Sequence, residues 1–347
     1  MIFRQLFDDV SSTYTYVLAD EVCKQALVID PVFSRARRDL ALLDELGLEL
    51  ALVVDTHAHA DHITAAWLLK QKTGCRIASA KAIGAKYVDD YLEDGQLFGV
   101  DGVRMKAIAT PGHTDGCMSY VLEDQSMVFT GDALLIRGCG RSDFQQGNAH
   151  KLFESITQRL FALPDDCLVY PAHDYNGRNV SSIGEEKAFN ARVGAGANET
   201  DFVEYMMAMK LPHPKLIDEA VPANLRSGCP QDGKLPEEPD WADIHLSYAG
   251  VPEVDHEWLE HHMGEVTVLD VRLDEEIKET PAAGVLIDVQ IPLDQLRDRV
   301  AELPTDKPIV ALCRSGRRSA MAVNILREKG FDRVASLSRG LLSVSGH

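Results

Sequence analysis

The segment Thr56-His57-Ala58-His59-Ala60-Asp61-His62 packs three imidazoles and a carboxylate into six consecutive residues, 57–62. It follows the strand-like run Leu50 to Asp55. Three more candidate ligands each come soon after such a run: His113 in Thr110-Pro-Gly-His-Thr114, Asp132 in Thr130-Gly-Asp132, and His173 in Pro171-Ala-His-Asp-Tyr175. Imidazole and carboxylate are the donors of catalytic first-row metal sites, and open α/β sheets gather their sites at the carboxyl ends of strands. Singly, each histidine reads as an ordinary surface residue and Asp61 as a helix cap. As an ordered set they read as a metal site able to activate a bound substrate.

A second constellation lies in Ile309-Val-Ala-Leu-Cys313-Arg-Ser-Gly-Arg-Arg318-Ser319. A cysteine at the end of a buried strand, followed by a short loop and a helix, meets backbone N–H groups and a helix N-terminus that favour a thiolate and an anion beside it. Arg314, Arg317 and Arg318 add positive charge. A strand-end cysteine alone is often only core packing; the loop and its arginines make Cys313 a candidate nucleophile.

The elements that must position these groups follow from the pattern around them. Strand-like runs at Thr13 to Leu18, Ala26 to Asp30, Leu50 to Asp55, Val103 to Ile108, Met118 to Leu122, Met127 to Thr130 and Leu168 to Tyr170 alternate with helical patterns, which is α/β punctuation. Two helical stripes, Phe153 with Ile156 and Leu160, and Ile63 with Ala66 and Trp67, read as core. From Ser227 to Asp240 the chain turns to Gly, Pro, Asp, Glu and Lys without periodicity, the composition of an exposed linker. Beyond it, Val266 to Asp270 and Pro308 to Leu312 read as buried strands, and Gly316 to Lys329 as a helix stopped at Gly330. The expected organisation is a domain over residues 1–226, a linker over 227–240 and a second α/β domain over 241–347.

With 35 basic and 54 acidic residues the chain carries a formal charge of −19. That balance disfavours nucleic acid and anionic membrane surfaces as partners, and an anionic substrate must find arginines gathered at its site. The seven cysteines are odd in number and scattered, which fits a reducing compartment better than a disulfide scaffold. Met1 to Gln5 runs into Asp8-Asp9 without the apolar core of a signal peptide. These features predict a cytoplasmic enzyme of small molecules, with no nucleic-acid or membrane partner, and leave a homo-oligomer open.

The order H-x-H-x-D-H at 57–62, then His113, Asp132 and His173, resembles the metallo-β-lactamase superfamily over roughly residues 1–226. The resemblance implies an αββα sandwich. Ligand types alone suit a dinuclear zinc thioester hydrolase of glyoxalase II type, with His57, His59, His113 and Asp132 around one metal and Asp61, His62, Asp132 and His173 around the other. The stretches Thr130 to Gly147 and Tyr170 to Tyr175, however, resemble the persulfide dioxygenase family. That resemblance implies one Fe(II) per chain held by His57, His113 and Asp132, with His59, Asp61, His62, His173 and Asp174 as supporting groups. It implies oxidation of glutathione persulfide by O₂ to sulfite and glutathione. Two histidines and one carboxylate leave three adjacent coordination positions open, room for a substrate sulfur and O₂ together. Arg141 and Tyr175 lie in loops similar to glutathione-contacting loops, and Arg226, in Pro222-Ala-Asn-Leu-Arg226, is a further candidate for the substrate's carboxylates.

Cys313-Arg314-Ser315-Gly316-Arg317-Arg318 resembles the rhodanese active-site loop over a domain of about residues 255 to 345, and Val268-Leu-Asp270-Val-Arg272 is similar to that family's D-V-R strand end. A phosphatase loop would carry its arginine six positions after the cysteine, where this chain has Ser319; Arg318 comes after five. The resemblance implies that Cys313 takes the outer sulfur of thiosulfate as a persulfide and passes it to a thiol such as glutathione. Two segments depart from the family pattern. Glu279 to Gly284 replaces its G-H-I-x-G-A turn, and Ser338-Arg339-Gly340 with an end at His347 replaces its closing G-G and tryptophan.

Overall fold

The computed structural model describes residues 1–209, 211–212, 214–282 and 284–343. The chain separates into two compact units, Met1–Leu235 and Pro236–His347.

In the first unit, β1 (Ile2–Asp8), β2 (Thr13–Ala19), β3 (Gln25–Ile29), β4 (Glu49–Asp55), β5 (Arg76–Ala80) and β6 (Asp90–Leu92) form one six-stranded sheet in sequence order. The second sheet runs β14-β13-β10-β9-β8-β7, from β7 (Leu97–Val100), β8 (Val103–Ala109), β9 (Met118–Leu122), β10 (Met127–Gly131), β13 (Leu168–Pro171) and β14 (Ser181–Ser182). A short hairpin, β11 (Leu134–Leu135) with β12 (Gly138–Cys139), follows β10. Period-2 alternation decides which face each residue takes. Tyr14, Tyr16 and Leu18 of β2 point between the sheets with Leu52, Val54, Met105, Tyr120 and Phe129, while Val17 and Ala19 join the outer face with Val28 and Val53.

Each outer face is covered by helices. Leu42 and Leu43 of α1 (Ala36–Glu45) and Leu68 and Leu69 of α2 (Ala66–Thr73) pack on the first sheet. On the second lie Leu152 of α3 (Ala149–Glu154), then Ile156 and Leu160 in the π-helical turn Ser155–Leu160, Ile183 of α4 (Ile183–Phe189), and Phe202 and Met206 of α5 (Glu199–Ala208). This is the αββα sandwich, completed by α6 (Ile217–Asn224).

Two expectations are corrected. The Ile63, Ala66, Trp67 stripe is not one helix: α2 starts at Ala66. The buried Asn224 side chain holds the preceding loop, donating to the carbonyls of His59 and His62 at 2.9 Å and accepting from the Thr64 N–H at 2.9 Å. Nor does an exposed linker begin at Ser227. Residues 227–229 are buried; the Ser227 hydroxyl donates to the Lys86 carbonyl and its own carbonyl accepts from the Trp67 N–H. This seam belongs to the first unit because its polar backbone is already paired there.

The second unit is a single sheet in the order β15-β16-β20-β19-β17-β18, from β15 (His245–Leu246), β16 (Pro252–Val254), β17 (Thr267–Asp270), β18 (Val289–Gln290), β19 (Ile309–Leu312) and β20 (Val334–Leu337). All neighbours are parallel except the β15–β16 pair. Parallel strands need both faces covered. One face takes Leu296 of α9 (Leu296–Arg299) and Val323 and Leu326 of α10 (Arg317–Glu328). The other takes Leu259 of α7 (His256–His262), and α8 (Asp274–Glu279) follows β17. Of the segments that depart from the rhodanese pattern, Ala283 and residues 344–347 lie outside the described residues. No helix among the described residues is long and apolar enough to cross a membrane.

Candidate metal and thiol sites

The loops that leave β4, β8, β10 and β13 converge at one end of the sandwich. His57, His113 and Asp132 are all buried, and their ligand atoms lie within 4.8 Å of one another. Asp132 Oδ2 is 4.0 Å from His57 Nε2 and 3.6 Å from His113 Nε2. The other ring nitrogens are already committed. His113 Nδ1 sits 2.6 Å from the Arg141 carbonyl, which can only accept, so Nδ1 carries a proton and Nε2 is the nitrogen turned toward Asp132. The Thr56 hydroxyl donates to Asp30 Oδ2 at 2.8 Å and lies 3.0 Å from His57 Nδ1, which therefore donates to it. Burial, then the neighbouring His59, push the His57 pKa well below its ordinary value, leaving a neutral ligand.

His173 is the opposite case. Nδ1 faces Asp132 Oδ1 at 2.7 Å and Nε2 faces Asp61 Oδ2 at 3.0 Å. Burial opposes a charge there, but the two carboxylates outweigh it and raise the His173 pKa well above the ordinary value. Both ring nitrogens then donate, and neither offers a free lone pair. His59, Asp61, His62 and His173 form a second group of ligand type. Within it, neither His59 nitrogen nor His62 Nε2 makes a well-aligned hydrogen bond among the described residues, although His59 Nε2 lies 3.1 Å from Asp30 Oδ1. Asp174 is buried, lines the same cavity, and accepts from the N–H groups of Asn176 and Arg178 and from Arg178 Nε, shaping the turn after His173.

A cavity of about 1060 Å³ opens onto His57, His113, Asp132 and His173. The Tyr175 ring, 71% exposed, stands in its wall parallel to His173, at 6.1 Å between centroids. Arg141 also lines it, but its guanidinium is engaged: Nε and Nη2 donate to Asp143 at 2.6 Å each, and Nη1 donates to the Pro212 carbonyl at 2.7 Å. Arg226 is corrected. It does not line the cavity, and its Nε donates to the Cys229 carbonyl at 3.2 Å, in the seam beneath α2.

Sequence reasoning missed several members of this site. Arg192 and Lys215 add positive charge to the cavity wall. Asp30, Thr56 and Asn224 hold the ligand loop, and Gly140 lies so close that an added Cβ would meet the Asp132 carbonyl and sit 2.9 Å from His113 Nδ1. Asp30 could have been suspected, since it too ends a strand-like run; Asn224, 162 residues from His62, gave no local signal.

In the second unit, Cys313 directly follows β19 and is 1% exposed. Burial raises a thiol, but here the Ser319 backbone and hydroxyl and the Ser315 and Arg318 N–H groups outweigh it, and the pKa falls below 9.0. Gly316, at φ 85°, turns the loop into α10. Arg314 and Arg317 are exposed, whereas Arg318 is paired with Glu276 through two bonds of 2.6 Å. Arg272 is fully buried against Asp270 and the Thr280 carbonyl, bracing the strand end beside the loop.

Comparison with known proteins matches residues 8–173 to the metallo-beta-lactamase superfamily and residues 255–347 to the rhodanese-like domain. The human protein named persulfide dioxygenase ETHE1, mitochondrial, is 48% identical over 229 residues, 66% of this chain and 89% of that protein. The crystal structure of ETHE1 from Myxococcus xanthus is 51% identical with a TM-score of 0.64, covering 66% of this chain and all of that one. A Staphylococcus aureus metallo-beta-lactamase structure, 22% identical, shares the fold over 97% of this chain with a TM-score of 0.61. The donor set described above fits a transition metal, and the chain belongs to the persulfide dioxygenase family of the metallo-β-lactamase superfamily, with a rhodanese-like domain following it.

Proposed function

We propose that the first unit oxidises glutathione persulfide with O₂ to sulfite and glutathione at one Fe(II), and that the second moves sulfane sulfur between thiosulfate and glutathione through Cys313. The observation that carries the first half is the family identity over 229 residues, taken with the grouping of His57, His113 and Asp132. Fe(II), when bound, would supply the redox chemistry by which O₂ oxidises the persulfide sulfur. The chain's residues do the rest. Asp30 through Thr56, and the Arg141 carbonyl, engage Nδ1 of the two imidazoles, so that Nε2 would be the atom to hold the metal. His173 holds one oxygen of Asp132 and leaves the other for the metal.

An acidic chain that accepts a glutathione conjugate needs local positive charge. The cavity wall carries Arg141, Arg192 and Lys215; Arg141 is ion-paired with Asp143, whereas Lys215 has no partner among the described residues. In the second unit the thiolate attacks the outer sulfur of thiosulfate, sulfite leaves with its electron pair, and the resulting Cys313 persulfide yields that sulfur to a glutathione thiolate.

Oxygen uptake with two variants tests both halves. His113→Ala removes a ligand and should abolish uptake on preformed glutathione persulfide. Cys313→Ser should abolish uptake driven by thiosulfate plus glutathione while sparing oxidation of preformed persulfide. Mixing the two variants should restore the coupled reaction. A folded, metal-loaded Cys313→Ser protein that cannot oxidise preformed persulfide contradicts the two-site reading.

A further inference from the structure

Beneath Cys313 the second unit holds two hydroxyls that no bulk solvent reaches. Ser319, in the first turn of α10, and Ser336, in the middle of β20, are both fully buried. The Ser319 Oγ lies 3.6 Å from the Cys313 sulfur and 2.8 Å from the Ser336 Oγ. Ser336 stands alone in its strand: Val334, Ala335 and Leu337 are apolar and buried. A hydroxyl in such a place must find partners or cost stability.

We propose that Ser336 is a positioning residue for the second unit's nucleophile, fixing the Ser319 hydroxyl so that its O–H is offered to the Cys313 sulfur. This rests on the reading of Cys313 as the sulfur carrier. Ser319 has a single hydroxyl proton and three neighbours within reach, the Gly316 carbonyl at 3.0 Å, Ser336 Oγ and the Cys313 sulfur. Ser336 has one weaker alternative, the Leu337 carbonyl at 3.4 Å. When Ser336 donates to Ser319 it fills an oxygen lone pair there and removes itself as an acceptor. The Ser319 proton is then left between a carbonyl and a sulfur, and once the sulfur is ionised the charge-assisted bond wins. A hydroxyl that accepts one bond is a stronger donor in the next, so the chain Ser336 to Ser319 to sulfur favours the thiolate.

The test is the pH dependence of Cys313 alkylation in the full chain, read by mass spectrometry on the Cys313 peptide so that the other cysteines do not interfere. Ser336→Ala should move the titration midpoint upward and slow alkylation below it by about three- to tenfold, leaving the alkaline plateau unchanged. Ser336→Thr keeps the hydroxyl on a residue suited to a strand and should restore the midpoint. Ser319→Ala should shift the midpoint the same way, and the double variant should shift it no further than Ser319→Ala alone, because the relay is then already cut. An unmoved midpoint in folded Ser336→Ala, or additive shifts in the double variant, overturns the proposal. Its failure is distinct from that of the parent reading: sulfur transfer that survives Cys313→Ser removes the nucleophile itself, whereas Cys313-dependent transfer with an unmoved midpoint removes only the role of Ser336.

Discussion

His173 Nδ1 and Asp132 Oδ1 are 2.7 Å apart, so one carboxylate serves two neighbours at once. One oxygen holds a protonated imidazole, and the other looks toward His57 and His113. The bond fixes the rotation of Asp132 and keeps the carboxylate ionised: burial works against the charge, but His173 and then His113 hold the Asp132 pKa below the ordinary range.

His173→Ala should therefore weaken metal binding without abolishing it. Losing a partner that orients a ligand costs about 10- to 100-fold in affinity. Competition against a chelator measures this. Affinity equal to wild type would show that His173 does not orient Asp132.

Gly140→Ala should damage the same site by crowding. The added methyl would meet the Asp132 carbonyl and the His113 ring, neither of which can move without displacing a ligand. Overpacking of this kind costs about 1–3 kcal/mol. The expected result is a lower melting temperature together with reduced metal content. Unchanged values for both would mean that the loop relaxes freely.

Arg141→Ala should raise KM for glutathione persulfide by about 10- to 100-fold, the worth of a charge-assisted bond, with little change in kcat, since a carboxylate contact acts in ground and transition states alike. Arg226→Ala should leave KM unchanged, because Arg226 does not line the cavity. Steady-state kinetics of the two variants side by side decide the matter. A loss confined to kcat in Arg141→Ala would place that residue in the chemistry instead.

The pH profile of sulfur transfer should report the Cys313 thiol. Hydrogen bonding to the sulfur favours the thiolate and depresses its pKa below 9.0. The reactive form is thus present above that lowered pKa and is lost as pH falls through it. The rate should reach its plateau at a lower pH than an unperturbed thiol would allow, and a midpoint at or above 9.0 would contradict the depression.

Much of the site was legible in sequence because ligands announce themselves by type and by position after a strand. The 57–62 segment, His113, Asp132 and His173 all lie at the carboxyl ends of strands, and structure adds only their distances. What sequence hid was support from far away. Asn224 pins a loop 162 residues earlier through hydrogen bonds that leave no periodic trace. Ser336 looks like any strand serine until β20 is placed beside β19. Ser227 to Cys229 read as linker because Ser and Gly punctuate loops, yet the Ser227 hydroxyl donates to the Lys86 carbonyl, the Ser227 carbonyl accepts from the Trp67 N–H, and the segment is buried. Arg226 failed for the converse reason: a charge near a motif carries no information about which way it points.

The account is tested most directly by metal content measured together with turnover on the same purified protein. It predicts about one iron per chain, O₂ consumption that requires glutathione persulfide, and sulfite as product. Two zinc ions per chain with thioester hydrolysis and no persulfide-dependent O₂ uptake would contradict it.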